Sequence, residues 1–217
     1  MTLLVDVLEE HGLDSIDVVL FALPGVGDVG KNAVELLNEA NDARTVARFI
    51  HPGLTPLARL DEDGLLAPPH LLAQRIDTEN GPSILTITGR GQPSESFQQH
   101  DFTTELLQHL AESGMKELIV LAGLMSTPEI KEAFAVATTS SHRVHLEEHG
   151  VDVRRDQPSG GAIGMSALMA SLAPLFGLQS VCAMATTVGA SGDVHASLRL
   201  LEFISKGWKL KVQMPKD

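Results

Sequence analysis

The chain has 217 residues, of which 43% are apolar and 20% are charged, so it is long enough and apolar enough to bury a globular core. This composition excludes a disordered or fibrous chain. Its 28 acidic and 16 basic residues give a formal net charge of −12, which repels phosphate groups. We therefore expect it to bind neither nucleic acid nor an anionic membrane.

Three features bear on compartment and redox state. The first ten residues contain three carboxylates and no Lys or Arg, unlike the basic start of a secretory signal, so we expect a cytoplasmic protein. The single cysteine, Cys182, lies in an apolar run, which predicts a buried thiol with a packing role. Residues 157–192 contain no charged residue, but Gly and Pro interrupt them, which favours a buried core segment over a membrane span.

The first part of the chain predicts a strand, a glycine turn and a helix. The apolar run at residues 17–23 predicts the strand, and the three- and four-residue apolar spacing at residues 29–40 predicts the helix, with Asp28 as its cap. Residues 45–50 predict a second strand. The Pro- and Gly-rich residues 52–69 predict short extended pieces around a turn, Asp61-Glu62-Asp63-Gly64.

The alternation continues to the end of the chain. Strands are predicted at residues 83–88, 118–122, 134–138 and 181–186, and helices around residues 102–110, 140–149, 163–173 and 193–206. Alternating strands and helices are typical of a parallel sheet, and no linker or repeat interrupts them. We therefore predict one α/β domain over residues 1–217 with a mostly parallel central sheet. Its expected core includes Val19, Phe21, Ile119, Leu121, Leu168 and Val181.

Residues 25–30, Gly-Val-Gly-Asp-Val-Gly, match the dinucleotide-binding pattern G-x-G-x-x-G between a predicted strand and a helix. However, Asp28 places a carboxylate beside the anion site, and no acidic ribose ligand follows the second strand near His51. We therefore expect Gly25, Gly27 and Gly30 to make a sharp turn and to bring the helix close to the sheet. We do not expect them to bind NAD.

Residues 145–149, His-Leu-Glu-Glu-His, match H-x-x-E-H, in which two histidines one helical turn apart bind zinc and the glutamate activates water. His142 lies on the same helical face. No identifiable third ligand follows, and a solvated helix rich in His and Glu gives the same pattern. We assign no metal site to these residues.

Two more loops of small residues lie late in the chain. Residues 159–166 enter the uncharged helix, and residues 187–193 precede the last helix, for which Asp193 is the expected cap. Both loops are expected along one rim of the sheet, where their amides either hold a phosphate or carboxylate or pack closely. The candidate positions at this rim are Gly25, Gly27, Asp28, Gly30, Gly89, Gly161, Gly164, Gly189 and Asp193.

The common catalytic signatures are missing from the sequence. It contains no G-x-S-x-G, no Walker A pattern and, with one cysteine, no C-x-x-C. The acidic residues 61–63 are typical of a hydrated turn. We assign no catalytic residue and no cofactor. An enzyme that binds a small molecule or nucleotide at the glycine-rich loops stays the alternative to a protein-binding function.

Five segments, in this order and spacing, resemble the proteasome assembly chaperone family over about residues 18–208. They are residues 21–30, residues 85–89 followed by Gln92-Pro93, residues 118–123, residues 161–168 and residues 189–196. Family members often have Gly-Tyr and Asp-Pro pairs in the last segment, where this chain has Gly189-Ala190 and Asp193-Val194, so only Gly189 and Asp193 match. The resemblance implies a three-layer fold with helices on both faces of the sheet, similar to nucleoside phosphorylases but without their activity.

The resemblance also implies that the partners are proteasome core subunits or another protein client. It implies self-association too, which the apolar residues 157–192 favour independently, because they offer more apolar surface than one sheet face covers. Some family members dock through a carboxyl-terminal hydrophobic–tyrosine–any-residue tail, but this chain contains no tyrosine and ends Gln-Met-Pro-Lys-Asp. We therefore expect binding through a folded surface.

Overall fold

The structure is a computed structural model that describes residues 2–61 and 63–215. The strands are β1 (Leu4–Val7), β2 (Val18–Ala22), β3 (Arg44–Ile50), β4 (Arg59–Leu60), β5 (Leu66–Ala67), β6 (Leu71–Ile76), β7 (Ile84–Gly89), β8 (Glu117–Met125), β9 (Ala133–Ala137) and β10 (Gln179–Thr187). The helices are α1 (Val29–Ala40), α2 (Ser96–Glu112), α3 (Ser140–Glu148), α4 (Met165–Leu172) and α5 (Val194–Gly207).

Eight of these strands form one mixed sheet in the order β1-β3-β6-β7-β2-β8-β10-β9, and β4 and β5 form a separate small hairpin. The neighbours β7, β2, β8 and β10 run parallel. The other four pairings, β1 with β3, β3 with β6, β6 with β7 and β10 with β9, are antiparallel. The expectation of a mostly parallel sheet is therefore wrong. Parallel neighbours need a crossover, whereas β3, β6 and β7 follow one another without an intervening helix and reverse direction directly.

Helices cover both faces of the sheet. On one face α1, α5 and α3 bury side chains against alternate residues of the central strands, such as Leu20 and Ile119. On the other face α2 and α4 pack over the intervening residues, such as Val19, Phe21 and Val120. Because the central strands are buried on both sides, their sequences are continuous apolar runs.

Most of the predicted elements are confirmed, with ends shifted by a few residues. The predicted core is confirmed for Val19, Phe21, Ile119, Leu121 and Val181. The assignment of Leu168 to the core is wrong, since this residue is half-buried. The buried stripe of α4 instead follows the positions one helical turn apart, Met165 and Met169.

Two strands of the sheet were missing from the sequence prediction, β1 at its edge and β6 within it. The short extended pieces expected between residues 52 and 69 are β4 and β5. Glu62 of the predicted acidic turn lies outside the described residues, as do Lys216 and Asp217. Cys182 is buried, as predicted, and burial raises the pKa of its thiol to about 12.

Candidate functional site

Two loops meet beyond the carboxyl ends of the parallel strands β2, β8 and β10. The backbone N–H of Asp193 donates a hydrogen bond to the carbonyl of Gly27 (3.1 Å). The hydroxyl of Ser191 donates one to the carboxylate of Asp28 (2.7 Å). We call these two loops, residues 25–30 and 187–193, the glycine rim. Its loops bind each other although most of the chain separates them in sequence.

The glycines of the rim allow the backbone of α1 to lie against β8. A Cβ atom at Gly30 would lie 2.1 Å from the carbonyl oxygen of Leu121, and one at Gly123 would lie 2.1 Å from that of Val26. No side chain fits in either position. Gly27 has a positive φ of 64°, which glycine adopts without strain. Gly25 begins the turn and lies in more open space.

The two rim aspartates have different roles. Asp193 caps α5 as predicted, because its carboxylate accepts hydrogen bonds from the Ala196 N–H (3.0 Å) and the Thr187 hydroxyl (2.5 Å). Burial opposes ionisation, but these bonds lower the pKa of Asp193 below its ordinary value. The expectation that Asp28 caps α1 is wrong. Asp28 is left-handed (φ 52°, ψ 21°), and its side chain makes no cap hydrogen bond.

A second set of candidate positions lies beside the end of β7. Gly89 is the last residue of this strand, and three residues later the Gln92 side-chain oxygen accepts a hydrogen bond from the Met165 N–H at the start of α4 (2.7 Å). Gly164 has a φ of 88°, and a Cβ there would lie 3.0 Å from that same oxygen. Gly161 has open space around it. Gln92 thus supplies the cap that the loop before α4 lacks.

The outer surface of the glycine rim is apolar. Val26, Met125 and Val188 are 37%, 66% and 51% exposed. A Cβ atom at Gly189 would lie 2.8 Å from Met125 Cε and 4.0 Å from Val26 Cγ1, so these side chains are neighbours. We call Val26, Met125 and Val188 the rim patch. The rim therefore presents apolar side chains to solvent beside its own polar bonds.

A buried ion pair lies at the other end of these strands, where β8 begins. His142 of α3 is 3% exposed, and its Nε2 lies 3.3 Å from Oε1 of Glu117, the first residue of β8. The same carboxylate accepts a hydrogen bond from the indole N–H of Trp208 (2.9 Å), and His142 Nδ1 lies 3.1 Å from the carbonyl oxygen of Ser180. Burial lowers the pKa of His142, but the Glu117 and Ser180 contacts outweigh burial and raise this pKa above its ordinary value.

The two histidines of H-x-x-E-H lie at the surface, in the last turn of α3 and at its C-cap. His145 and His149 are both exposed, and their ring centroids are 4.3 Å apart. No group of three or more metal-ligating side chains occurs in the described ranges 2–61 and 63–215, so the geometry does not make a three-ligand catalytic zinc site there. None of the described helices is long and apolar enough to cross a membrane.

Three parts of these sites were not predicted from the sequence. The contact of Gly123 with the α1 loop, the Ser191 partner of Asp28 and the Glu117 partner of His142 all join residues that are distant in sequence. The pattern around Gly123 contained one usable signal, since a glycine inside an otherwise apolar strand often marks a close approach of another backbone.

A mixed sheet between two helical layers, with a closed glycine rim at one edge, defines a three-layer α/β protein. The sequence profile of the PAC2 family matches residues 19–216, and the chain belongs to this family. This match confirms the resemblance drawn from the sequence. No curated protein matches the chain in sequence.

Solved structures share the fold over nearly the whole chain. PbaB of Pyrococcus furiosus, an archaeal proteasome activator, is 22% identical, covers 98% of this chain and 91% of its own, and has a TM-score of 0.83. PbaA of the same organism, an archaeal homologue of proteasome-assembly chaperone, is 20% identical, with coverages of 97% and 87% and a TM-score of 0.75. A proteasome-assembly chaperone homologue of Mycobacterium tuberculosis is 17% identical, with coverages of 91% and 87% and a TM-score of 0.72.

Proposed function

We propose that the protein binds proteasome core subunits and acts as a proteasome assembly chaperone or activator. The observation that supports this most directly is the likeness in fold to PbaB, a proteasome activator, over 98% of this chain and 91% of that one. Membership of the PAC2 family supports the same function. A cytoplasmic location and a likeness to nucleoside phosphorylases stay predictions.

The geometry of the glycine rim favours protein binding over nucleotide binding. Several groups that could contact a phosphate already bind within the rim. The Gly189 N–H donates to the Thr187 hydroxyl (3.1 Å), and the Ser191 hydroxyl donates to the Asp28 carboxylate (2.7 Å). Asp28 adds a carboxylate at the start of α1, where a phosphate would otherwise be favoured. The outward apolar side chains of the rim patch are typical of a protein interface core. We therefore place the partner at the rim patch.

The backbone of Gln213, where the carboxyl-terminal tail starts, is hydrogen-bonded to the fold. The Gln213 N–H donates to the Asn41 side-chain oxygen (2.8 Å), and the Asn41 amide donates to the Gln213 carbonyl (2.9 Å). Binding through a folded surface then predicts that deleting residues 214–217 changes affinity little. A specific interface buries about 1,600 Å², of which four tail residues form a small part.

A pull-down of proteasome α-subunits at physiological salt, with full-length and truncated chains, tests this prediction. Both chains should capture the subunits equally. Capture by neither chain contradicts the proposed partnership. Capture by the full-length chain alone contradicts the folded-surface mechanism and leaves the partnership intact.

Self-association also belongs to this proposal. Two apolar side chains of the uncharged region, Ile163 before α4 and Leu175 after it, are 94% and 79% exposed, and Leu168 between them is half-buried. No part of the chain that the structure describes covers these side chains, and a second copy would. Light scattering should therefore give a mass above one chain at micromolar concentration. A monomer mass that does not change with concentration would contradict self-association.

A further inference from the structure

A cavity lies at the end of the sheet opposite the glycine rim, where the parallel strands begin. It has a volume of about 230 Å³ and lies between α3 and the end of α5. Its lining includes Glu117, His142, His145, His149 and Trp208. The proposed function uses none of these side chains.

His145 and His149 have the geometry of a two-histidine chelate. They lie four residues apart, His145 in the last turn of α3 and His149 at its C-cap, and their rings lie side by side. Two imidazoles bound to one metal through bonds of about 2.0–2.1 Å have ring centroids roughly 5 Å apart. The observed separation of 4.3 Å is close to this, with an interplanar angle of 42°.

A backbone contact prepares His149 for metal binding. Its Nδ1 lies 2.8 Å from the carbonyl oxygen of His145, so this nitrogen carries the proton and donates the hydrogen bond. The lone pair of the neutral ring is then on Nε2. Metal-bound histidines usually have such an arrangement, in which the second ring nitrogen donates to a carbonyl or carboxylate.

His142 differs from its two neighbours on α3 and does not take part. It is buried and bonded to Ser180 and Glu117, whereas His145 and His149 are exposed. A metal ion held by His145 and His149 would therefore have two protein ligands, with water in its other positions. Imidazole pairs of this kind suit Cu²⁺, Ni²⁺ and Zn²⁺, with Cu²⁺ bound most tightly.

We propose that His145 and His149 bind one divalent transition-metal ion at the mouth of the Glu117–Trp208 cavity. The chain offers a direct reporter for this site. It contains one tryptophan and no tyrosine, and Trp208 lines the same cavity. Cu²⁺ bound there quenches the fluorescence of this indole, whereas ions bound at distant histidines do not.

The test is a titration of the untagged full chain with Cu²⁺, followed by tryptophan fluorescence. The wild-type protein should show saturable quenching at one ion per chain, and prior addition of Zn²⁺ should shift the curve to higher Cu²⁺. His145→Gln and His149→Gln should each weaken the affinity about tenfold or more. His195→Gln, which removes an exposed histidine of α5, is the matched control and should leave the curve unchanged.

Two outcomes would overturn the proposal. One is the absence of saturable quenching in the wild-type protein. The other is an unchanged affinity in both His145→Gln and His149→Gln, with circular dichroism showing that the variants are folded.

Discussion

Replacing Gly30 with alanine should lower the free energy of unfolding by about 3 kcal/mol, although alanine is normally the better helix former. The added Cβ would lie 2.1 Å from the Leu121 carbonyl oxygen and 2.6 Å from its carbonyl carbon. These are backbone atoms of a central strand, so they cannot move aside as a flexible side chain does. The α1 loop would have to shift away from β8.

Denaturant unfolding of Gly30→Ala, beside the control Gly91→Ala, measures this effect. A Cβ at Gly91 meets nothing within 4 Å, and its φ is not positive, so the control should be neutral or slightly stabilised. Equal stability of the two variants would contradict close packing as the reason for glycine at position 30.

Replacing His142 with asparagine should lower the free energy of unfolding by about 2 kcal/mol near pH 6. This loss should become smaller as the pH rises. Asparagine still offers a donor to Ser180 but loses the charged contact with Glu117. The pKa of His142 is raised in the folded protein, so the imidazolium contributes its full stabilisation below the unfolded value of about 6.5. This contribution is lost as the pH rises through the folded-state pKa.

His51 provides an internal control, because the stability cost of replacing it should change with pH in the opposite direction. Its ring is buried and stacks on Phe102 with centroids 4.6 Å apart, and burial lowers its pKa, against the opposing charges of Glu105 and Asp101. Its stabilisation is therefore present above about pH 6.5 and is lost as the pH falls through the folded-state pKa. The cost of His51→Asn should thus grow with pH while that of His142→Asn shrinks.

Unfolding free energies at several pH values between 5 and 9 would measure both costs. A double-mutant cycle with Glu117→Gln isolates the His142–Glu117 contact from the rest of the pH dependence. A cost of His142→Asn that is constant or rises with pH would contradict a charged His142.

The parallel centre of the sheet was predictable from the sequence because its strands are apolar on both sides. All five residues of β2 are buried, and such a run contrasts clearly with its surroundings. By contrast, β6 contains the half-buried polar residues Gln74 and Arg75, one on each face of the sheet, and β1 contains Asp6 and lies at the sheet edge. Their polar residues hide the strand pattern, and their antiparallel pairing depends on contacts between distant residues.

The glycine rim was predictable in part, because its first loop directly follows the clear apolar run of β2. The need for glycine at position 27 follows from the positive φ of the local strand-to-helix turn, whereas at position 30 it comes from the close approach of α1 to Leu121 of β8. The role of Asp28 does not follow from the local sequence, because its side chain bonds to Ser191, 163 positions away, and makes no cap hydrogen bond to α1. Local rules favour an aspartate cap at the start of a helix, and a tertiary contact overrides them here.

The measurement that tests the central claim most directly is the affinity of purified proteasome α-subunits for three chains, the wild type, Val188→Glu and Val144→Glu. The two valines are similarly exposed, 51% and 46%, but Val188 lies in the rim patch and Val144 on α3. A charge in the apolar centre of an interface should weaken binding about tenfold or more, so Val188→Glu should lose affinity while Val144→Glu binds as the wild type does. If the wild type does not bind, the proteasome partnership is wrong, and if Val188→Glu binds as tightly as Val144→Glu, the rim patch is not the docking surface.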